Sequence, residues 1–169
     1  MQIDDESKKD IEFIKFLDAA GFFGWPIDFE PSDLNRFDAS SWFENAIEEY
    51  EQHQFLELGR DGTGSGFCFW IYPDLKIKPP VVFWSSEGEF HFVAGSLSDY
   101  IRQLCSGKMF YDGSWLEPDA EELKEIEWSD LKQRAINHLG AWAESPEELE
   151  QKGRKNHPDF ESWVNEHWE

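Results

Sequence analysis

The sequence predicts an α+β fold, in which helices pack around a central, twisted and mainly antiparallel sheet. Strand-like runs are concentrated between residues 55 and 94, and helical patterns precede and follow them. Two of these runs are joined by a tight turn, which favours antiparallel pairing. With 169 residues, 40% of them hydrophobic, the chain can bury a sizeable core. We therefore expect one domain spanning residues 1–169.

Two helices are predicted before the strands. Ser7 and Asp10 have the spacing of a capping box, and Gly21 is a suitable end for the helix that follows. Its predicted inward face consists of Phe13, Phe16, Leu17 and Ala20. Ser41 and Glu44 form a second capping-box pattern, and the inward face of that helix is predicted to carry Phe43, Ile47 and Tyr50.

The run Phe67–Tyr72 is apolar on both of its alternating faces, which predicts a central strand covered on both sides. Val81–Trp84 and Glu89–Ala94 are predicted to form a hairpin around the turn Ser85-Ser86-Glu87-Gly88. The second strand of this hairpin places Phe90 and Phe92 on one face, and Glu89 and His91 on the other.

A glycine-rich loop, GRDGTGSG, precedes the central strand and contains Arg60, Asp61, Gly62 and Gly64. A phosphate-binding loop would carry a lysine where Ser65 stands and would lead into a helix. We favour a structural turn, in which Gly62 or Gly64 adopts a positive φ and Asp61 accepts backbone hydrogen bonds. Arg60 is expected to pair with a neighbouring carboxylate.

Ser96 and Asp99 are predicted to cap an amphipathic helix that ends at Gly107. Beyond Gly107 the patterns are helical, with no clear strand. We expect one helix with Ser129 as its cap and Gly140 near its end, one that begins at Ser145-Pro146-Glu147-Glu148, and one that begins at His157-Pro158. About 60 residues without a metal or disulfide would be marginal alone, so this part should pack on the sheet.

The net charge is −21, and the acidic residues are spread over the whole chain. Such a field repels nucleic acid and anionic membranes and attracts basic proteins, although it also simply maintains solubility. The chain lacks the sequence motifs of hydrolases and of dense metal sites, so we expect no enzyme activity, catalytic residues, cofactor or metal. A zinc site assembled from distant histidines stays open. Cys68 and Cys105 should be buried free thiols.

Trp25, Glu48, Glu49 and Glu51 are the candidate partner-binding residues. Trp25 lies between Gly24 and Pro26, outside any periodic pattern, so it is either a plug in the core or an exposed anchor. The glutamates form an acidic cluster that could meet a basic surface, or simply a solvated helix face. The N-terminal residues lack the pattern of a signal peptide and no long apolar run is present, so we expect a cytoplasmic protein.

The Arg-Asp-Gly-Thr-Gly loop, the strand after it, the Pro-Val-Val-Phe strand with its Glu-Gly turn, and the closing helix together resemble the SUKH superfamily of Smi- and Knr-like proteins. The resemblance covers a core of about residues 8–107, and residues 108–169 look like the extensions of bacterial members. It implies a non-catalytic bacterial immunity protein without a cofactor, which neutralises a cognate polymorphic toxin, often a nuclease, by direct binding. The alternatives are a regulatory protein-interaction scaffold of the same superfamily and a small-molecule binder with an aromatic groove.

Overall fold

The computed structural model describes residues 3–168 and contains a five-stranded antiparallel sheet in the order β1-β2-β3-β4-β5. The strands are β1 Glu30–Pro31, β2 Gln54–Arg60, β3 Gly66–Ile71, β4 Val81–Trp84 and β5 Phe90–Ala94. Each strand pairs with the next along the chain, so the sheet is a meander. This confirms the predicted α+β class, and β3 is the middle strand, as its two apolar faces predicted.

Helices surround the sheet. They are α1 Asp5–Ala19, a 3-10 helix Ser40–Phe43, α2 Ile47–Glu51, α3 Leu97–Leu104, α4 Glu122–Glu125, α5 Trp128–Leu139, α6 Pro146–Arg154 and α7 Phe160–His167. A small hairpin lies between α3 and α4, with strands β6 Met109–Tyr111 and β7 Ser114–Leu116. Within residues 3–168, none of the helices has the length and apolar character needed to span a bilayer.

The two faces of the sheet bury different kinds of side chain. On one face, Phe67 and Phe69 of β3 pack in a cluster with Leu17 of α1, Ile101 of α3 and Leu131 of α5. The cluster on the other face is richer in tryptophan and contains Cys68, Trp70, Val82, Trp84, Phe92, Phe43, Phe160 and Val164. Covering of both faces explains why β3 has no polar alternation.

The C-terminal helices also cover the outer edge of β5. Glu161 of α7 accepts a hydrogen bond from the backbone nitrogen of Phe92 at 2.9 Å, so a side chain satisfies a donor that no sixth strand reaches. Arg154 of α6 bonds the same carboxylate through Nη1 at 2.9 Å. Burial alone would raise the pKa of Glu161. The hydrogen bonds that Glu161 accepts from Arg154 and Phe92 outweigh this effect, so its pKa is lowered. Residues 146–167 therefore pack on the sheet.

Several predicted helix starts are confirmed. Ser96 accepts a hydrogen bond from the backbone nitrogen of Asp99 at the start of α3. Ser145 and Glu148 form a complete capping box on α6, with Pro146 in its first turn.

Both cysteines are buried free thiols, as predicted, and burial raises the pKa of Cys68 well above its usual value.

Other predicted helix starts are wrong. Helix α1 is capped by Asp4, whose carboxylate accepts from the backbone nitrogen of Ser7 at 2.8 Å, so the helix begins one turn before the predicted box. Ser7 and Asp10 instead face inward, and Asp10 bonds His138. Ser129 does not cap α5, which has Glu127 at its N-cap. The last helix begins at Phe160 with Asp159 as its cap, three residues after His157.

Three further expectations need correction. The Ser41–Glu44 pattern does not open a helix, because residues 40–43 form a 3-10 turn and α2 begins only at Ile47. Phe16, Ala20 and Ile47, all predicted to face inward, are exposed. Strands are present after Gly107, since β6 and β7 form a hairpin of three-residue strands too short to create a visible alternation.

Candidate functional site at the loop end of the sheet

Four connections meet at one end of the sheet, which we call the loop end: residues 24–28, 61–65, 85–89 and 111–113. The β2–β3 and β4–β5 connections lie at the same end because β2 to β5 form an antiparallel meander. Residues 24–28 reach them because Glu30 of β1 pairs with Arg60. The tip of the β6–β7 hairpin approaches from the side, and Gly113 lies against the ring of His91.

The glycine-rich loop closes on its own carboxylate. Asp61 Oδ1 accepts hydrogen bonds from the backbone nitrogens of Thr63 at 2.9 Å and Ser65 at 3.1 Å, and from the hydroxyl of Thr63 at 2.6 Å. Gly64 has a φ of 86°. Both findings confirm the prediction of a structural turn. Because the backbone N–H groups of Thr63 and Ser65 already donate to Asp61, they are not available to bind a phosphate.

The loop is anchored at both of its ends. Arg60 bonds the buried carboxylate of Glu57 through Nε at 2.8 Å, which confirms the expected pairing. This bond raises the pKa of Arg60. Ser65 Oγ accepts from the backbone nitrogen of Ser86 at 2.9 Å, which connects the loop to the β4–β5 turn. The motif residues Arg60, Asp61, Gly62 and Gly64 thus shape the loop end.

Trp25 lies on the neighbouring connection and is 52% exposed, so the core-plug interpretation is wrong. A groove of about 250 Å³ is lined by Gly24, the residue before Trp25, and by Asp28, Glu30, Arg60, Asp61 and other residues. The carboxylate of Asp28 faces Gly62, which joins this connection to the glycine-rich loop. An exposed indole next in sequence to a groove residue has an apolar surface available for contact.

Tyr111 is the most exposed large hydrophobic residue within residues 3–168, at 71%, and sequence reasoning missed it. It precedes the hairpin tip, where Asp112 and Gly113 have φ angles of 49° and 84°. Positive φ at both central residues defines a type I′ turn, and Asp-Gly is one of its strongest sequence signals. That dipeptide could have identified the hairpin. A second groove, of about 170 Å³, separates Tyr111 from Asp61, Thr63 and Ser86.

The loop end is acidic, and four of its carboxylates form no ion pair among the described residues. Among the described residues, no lysine, arginine or histidine nitrogen lies within 4.0 Å of the carboxylates of Asp28, Asp61, Glu87 or Asp112. These four groups surround the two grooves. The result is a negative surface with two exposed aromatic side chains, Trp25 and Tyr111.

Three potential metal ligands converge beside the hairpin tip. The donor atoms of Glu89, His91 and Asp112 all lie within 4.8 Å of one another, and Glu89 Oε2 is 3.7 Å from His91 Nε2. The neighbouring carboxylate of Asp112 raises the pKa of Glu89. Sequence reasoning missed this group because His91 and Asp112 are separated by 21 positions and belong to different sheets.

The predicted cluster Glu48, Glu49 and Glu51 lies elsewhere. These residues are exposed on α2, which precedes the first residue of β2, whereas the loop end follows its last residue. Seven strand residues extend over about 20 Å. The structure therefore places Trp25 beside the glycine-rich motif and far from Glu48–Glu51. The partner-binding role of all four residues stays a prediction.

The chain was compared with known protein families, curated proteins and solved structures, and no match was found in any of the three.

Proposed function

We propose that this chain is a non-catalytic acidic binding protein, which uses the loop end of its sheet to hold a basic surface of another protein. The observation that supports this most strongly is the combination of Trp25 and Tyr111, 52% and 71% exposed, with the four carboxylates that line the two grooves. Aromatic side chains are enriched at the centres of protein interfaces, where they become desolvated. We take Trp25 and Tyr111 as the anchors.

Charge and aromatic groups have different effects in such a complex. The net charge of −21 produces a long-range field that accelerates encounter with a cationic partner. Salt should slow association, because the Debye length is only about 8 Å near 0.15 M. The apolar contacts of the anchors should instead govern how slowly the complex dissociates.

The resemblance to the SUKH superfamily supports a particular class of partner. On that basis we propose that the partner is a cognate polymorphic toxin, such as a nuclease, and that binding neutralises it in the bacterial cytoplasm. A nuclease must hold phosphates, so its active site presents the positive charge that an acidic protein can cover. A regulatory scaffold would use the same surface on a different partner.

The burial of the reactive side chains supports a non-catalytic role. Cys68 and Cys105 are buried, and burial raises the pKa of both thiols, which disfavours the nucleophilic thiolate. His53 and His157 are engaged in packing and hydrogen bonds, and burial lowers the pKa of both.

The experiment is co-expression with the toxin encoded next to this gene, followed by survival and co-purification assays. Cells should be protected and a complex should co-purify. Trp25→Ala and Tyr111→Ala should each weaken binding at least tenfold. The matched control is Ile77→Ala, because Ile77 is 49% exposed but lies in the β3–β4 connection at the other end of the sheet.

Two results would contradict the proposal in different ways. Unprotected cells and the absence of a complex would exclude the immunity function and favour the regulatory scaffold. Protection that is lost in Glu48→Gln/Glu49→Gln but kept in Trp25→Ala and Tyr111→Ala would retain immunity and exclude the loop end as the binding surface.

A further inference from the structure

We propose that Glu89, His91 and Asp112 form a binding site for a divalent transition-metal ion of the zinc class. The site offers one imidazole nitrogen and two carboxylates, contributed by the β4–β5 turn, strand β5 and the tip of the β6–β7 hairpin. The proposal does not depend on the proposed function, since it concerns an ion and not a protein partner.

The distances are close to those of a coordination sphere. Zinc ligands lie about 2.0–2.2 Å from the ion, so neighbouring donor atoms in a tetrahedral site are about 3.4 Å apart. Glu89 Oε2 and His91 Nε2 are 3.7 Å apart, and all three donor atoms lie within 4.8 Å of one another. Because Glu89 and Asp112 are exposed, small rotations of their side chains can close the remaining gap.

The imidazole is held in place before any ion arrives. The ring of His91 stacks on Phe83, with the ring planes 16° apart and the centroids 6.1 Å apart. Gly113, at the tip of the β6–β7 hairpin, lies against the His91 ring. A Cβ at that position would lie only 2.7 Å from the ring. A glycine at the hairpin tip therefore allows the imidazole and the carboxylate of Asp112 to approach each other.

The nitrogen that faces the carboxylates lacks a partner. His91 Nε2 is buried and makes no hydrogen bond within the described part of the chain. A buried polar atom without a partner is unfavourable, and two facing carboxylates repel each other when both are ionised. A divalent cation would satisfy the nitrogen and neutralise both carboxylates, so one ligand resolves both unfavourable features.

The donor set also selects the class of ion. Magnesium and calcium prefer oxygen ligands alone, whereas zinc, manganese and cobalt accept an imidazole nitrogen together with carboxylates. Three protein ligands leave at least one position for water. The imidazole should therefore distinguish zinc from magnesium, while the carboxylates alone would distinguish them poorly.

The test uses the full chain, treated with a chelator and then titrated with zinc chloride in a calorimeter. We expect saturable binding of one ion, and at least 100-fold weaker binding of magnesium. In a histidine side-chain ¹H–¹⁵N NMR spectrum, zinc should shift the Nε2 resonance of His91 and leave the other histidines unchanged. His91→Gln should weaken zinc binding at least tenfold, and Asp112→Asn should also weaken it.

His167→Gln is the matched control, because it removes an imidazole from α7 and keeps all three proposed ligands. This variant should bind zinc like the native chain. Circular dichroism should show that His91→Gln and Asp112→Asn are folded, so that a loss of binding reports the site. Zinc binding that is unaffected in both folded variants would reveal general attraction to an acidic surface and overturn the proposal, as would the absence of saturable binding.

Discussion

The two ends of the sheet are held together by contacts of different range. At the loop end, the hydrogen bonds of Asp61 and Ser65 connect residues 2 to 21 positions apart. At the opposite end, which we call the closed end, His157 bonds the hydroxyl of Tyr72 through Nδ1 and the carbonyl of Gly95 through Nε2. These pairs are 85 and 62 positions apart.

From this difference we expect the closed end to determine the stability of the fold and the loop end to determine recognition. The closed end fastens the C-terminal helices to the sheet, so a change there should loosen the whole fold. The loop end is built from turns that close on themselves, so its outward side chains can change without loss of the fold. We expect substitutions at the two ends to differ accordingly, in the decreasing order of effect given below.

The largest expected effect is at Gly153, whose backbone lies against that of Gly95. A Cβ on Gly153 would lie 2.6 Å from Gly95 Cα, and neither backbone can yield easily. Gly153→Ala should lower the free energy of unfolding by about 3 kcal/mol, despite the gain of about 1 kcal/mol in helix propensity. Chemical denaturation provides the measurement. Gly24→Ala is the control, since a Cβ there would contact nothing within 4 Å; equal losses in both variants would contradict this prediction.

The next effect is a dependence on pH at the closed end. His53 stacks on Trp163 with centroids 3.9 Å apart and accepts a hydrogen bond from Trp70 Nε1, and burial lowers its pKa from 6.5 to about 4. The unfolded chain therefore binds a proton at higher pH than the folded chain. The contribution of His53 is complete above pH 6.5, declines as the pH falls toward 4, and amounts to at most about 3 kcal/mol.

His53→Gln tests this, because its amide oxygen can still accept from Trp70 but does not titrate. Between pH 6.5 and 4, the free energy of unfolding of this variant should fall less steeply than that of the native chain. If the free energy of unfolding of His53→Gln falls as steeply as that of the native chain, His53 does not take up a proton on unfolding and the prediction is wrong.

A smaller effect is expected at the turn of the glycine-rich loop. Gly64→Ala should cost about 1 kcal/mol, because Gly64 has a φ of 86° and a side chain strains that conformation. Gly62→Ala is the matched control, where a Cβ would make ordinary contact with Asp28 at 3.6 Å. Denaturation of both variants would measure the difference.

ATP should not raise the melting temperature of the protein, and a clear rise would return the loop to the phosphate-binding class.

The features that sequence predicted are those encoded by neighbouring residues. The alternating apolar faces of β3, the serine caps of α3 and α6, and the turn at Asp61 and Gly64 each depend on a few adjacent positions. The sequence predicted Ser7 as the cap of α1, whereas Asp4 caps this helix and Asp10 bonds His138, which is 128 positions away. Long-range contacts of this kind leave no local pattern.

The candidate site was predictable only in part, for the same reason. The sequence identified the structural loop and suggested Trp25, but it could not show that Trp25 is exposed or that Gly24, the residue before it, lines a groove with Asp61. Tyr111 was missed because three-residue strands show too little alternation, although Asp112-Gly113 signals the hairpin. The grouping of His91 with Asp112 depends on how that hairpin docks on β5, which no spacing in the sequence reveals.

The most direct test of the binding surface is hydrogen exchange of the chain, alone and in complex with the toxin encoded beside its gene. Our account predicts that binding slows exchange in residues 24–28, 61–65, 85–89 and 111–113, while residues 47–51 of α2 exchange at the same rate in both states. Protection of residues 47–51 without protection of the loop end would contradict it and would place the interface at Glu48, Glu49 and Glu51.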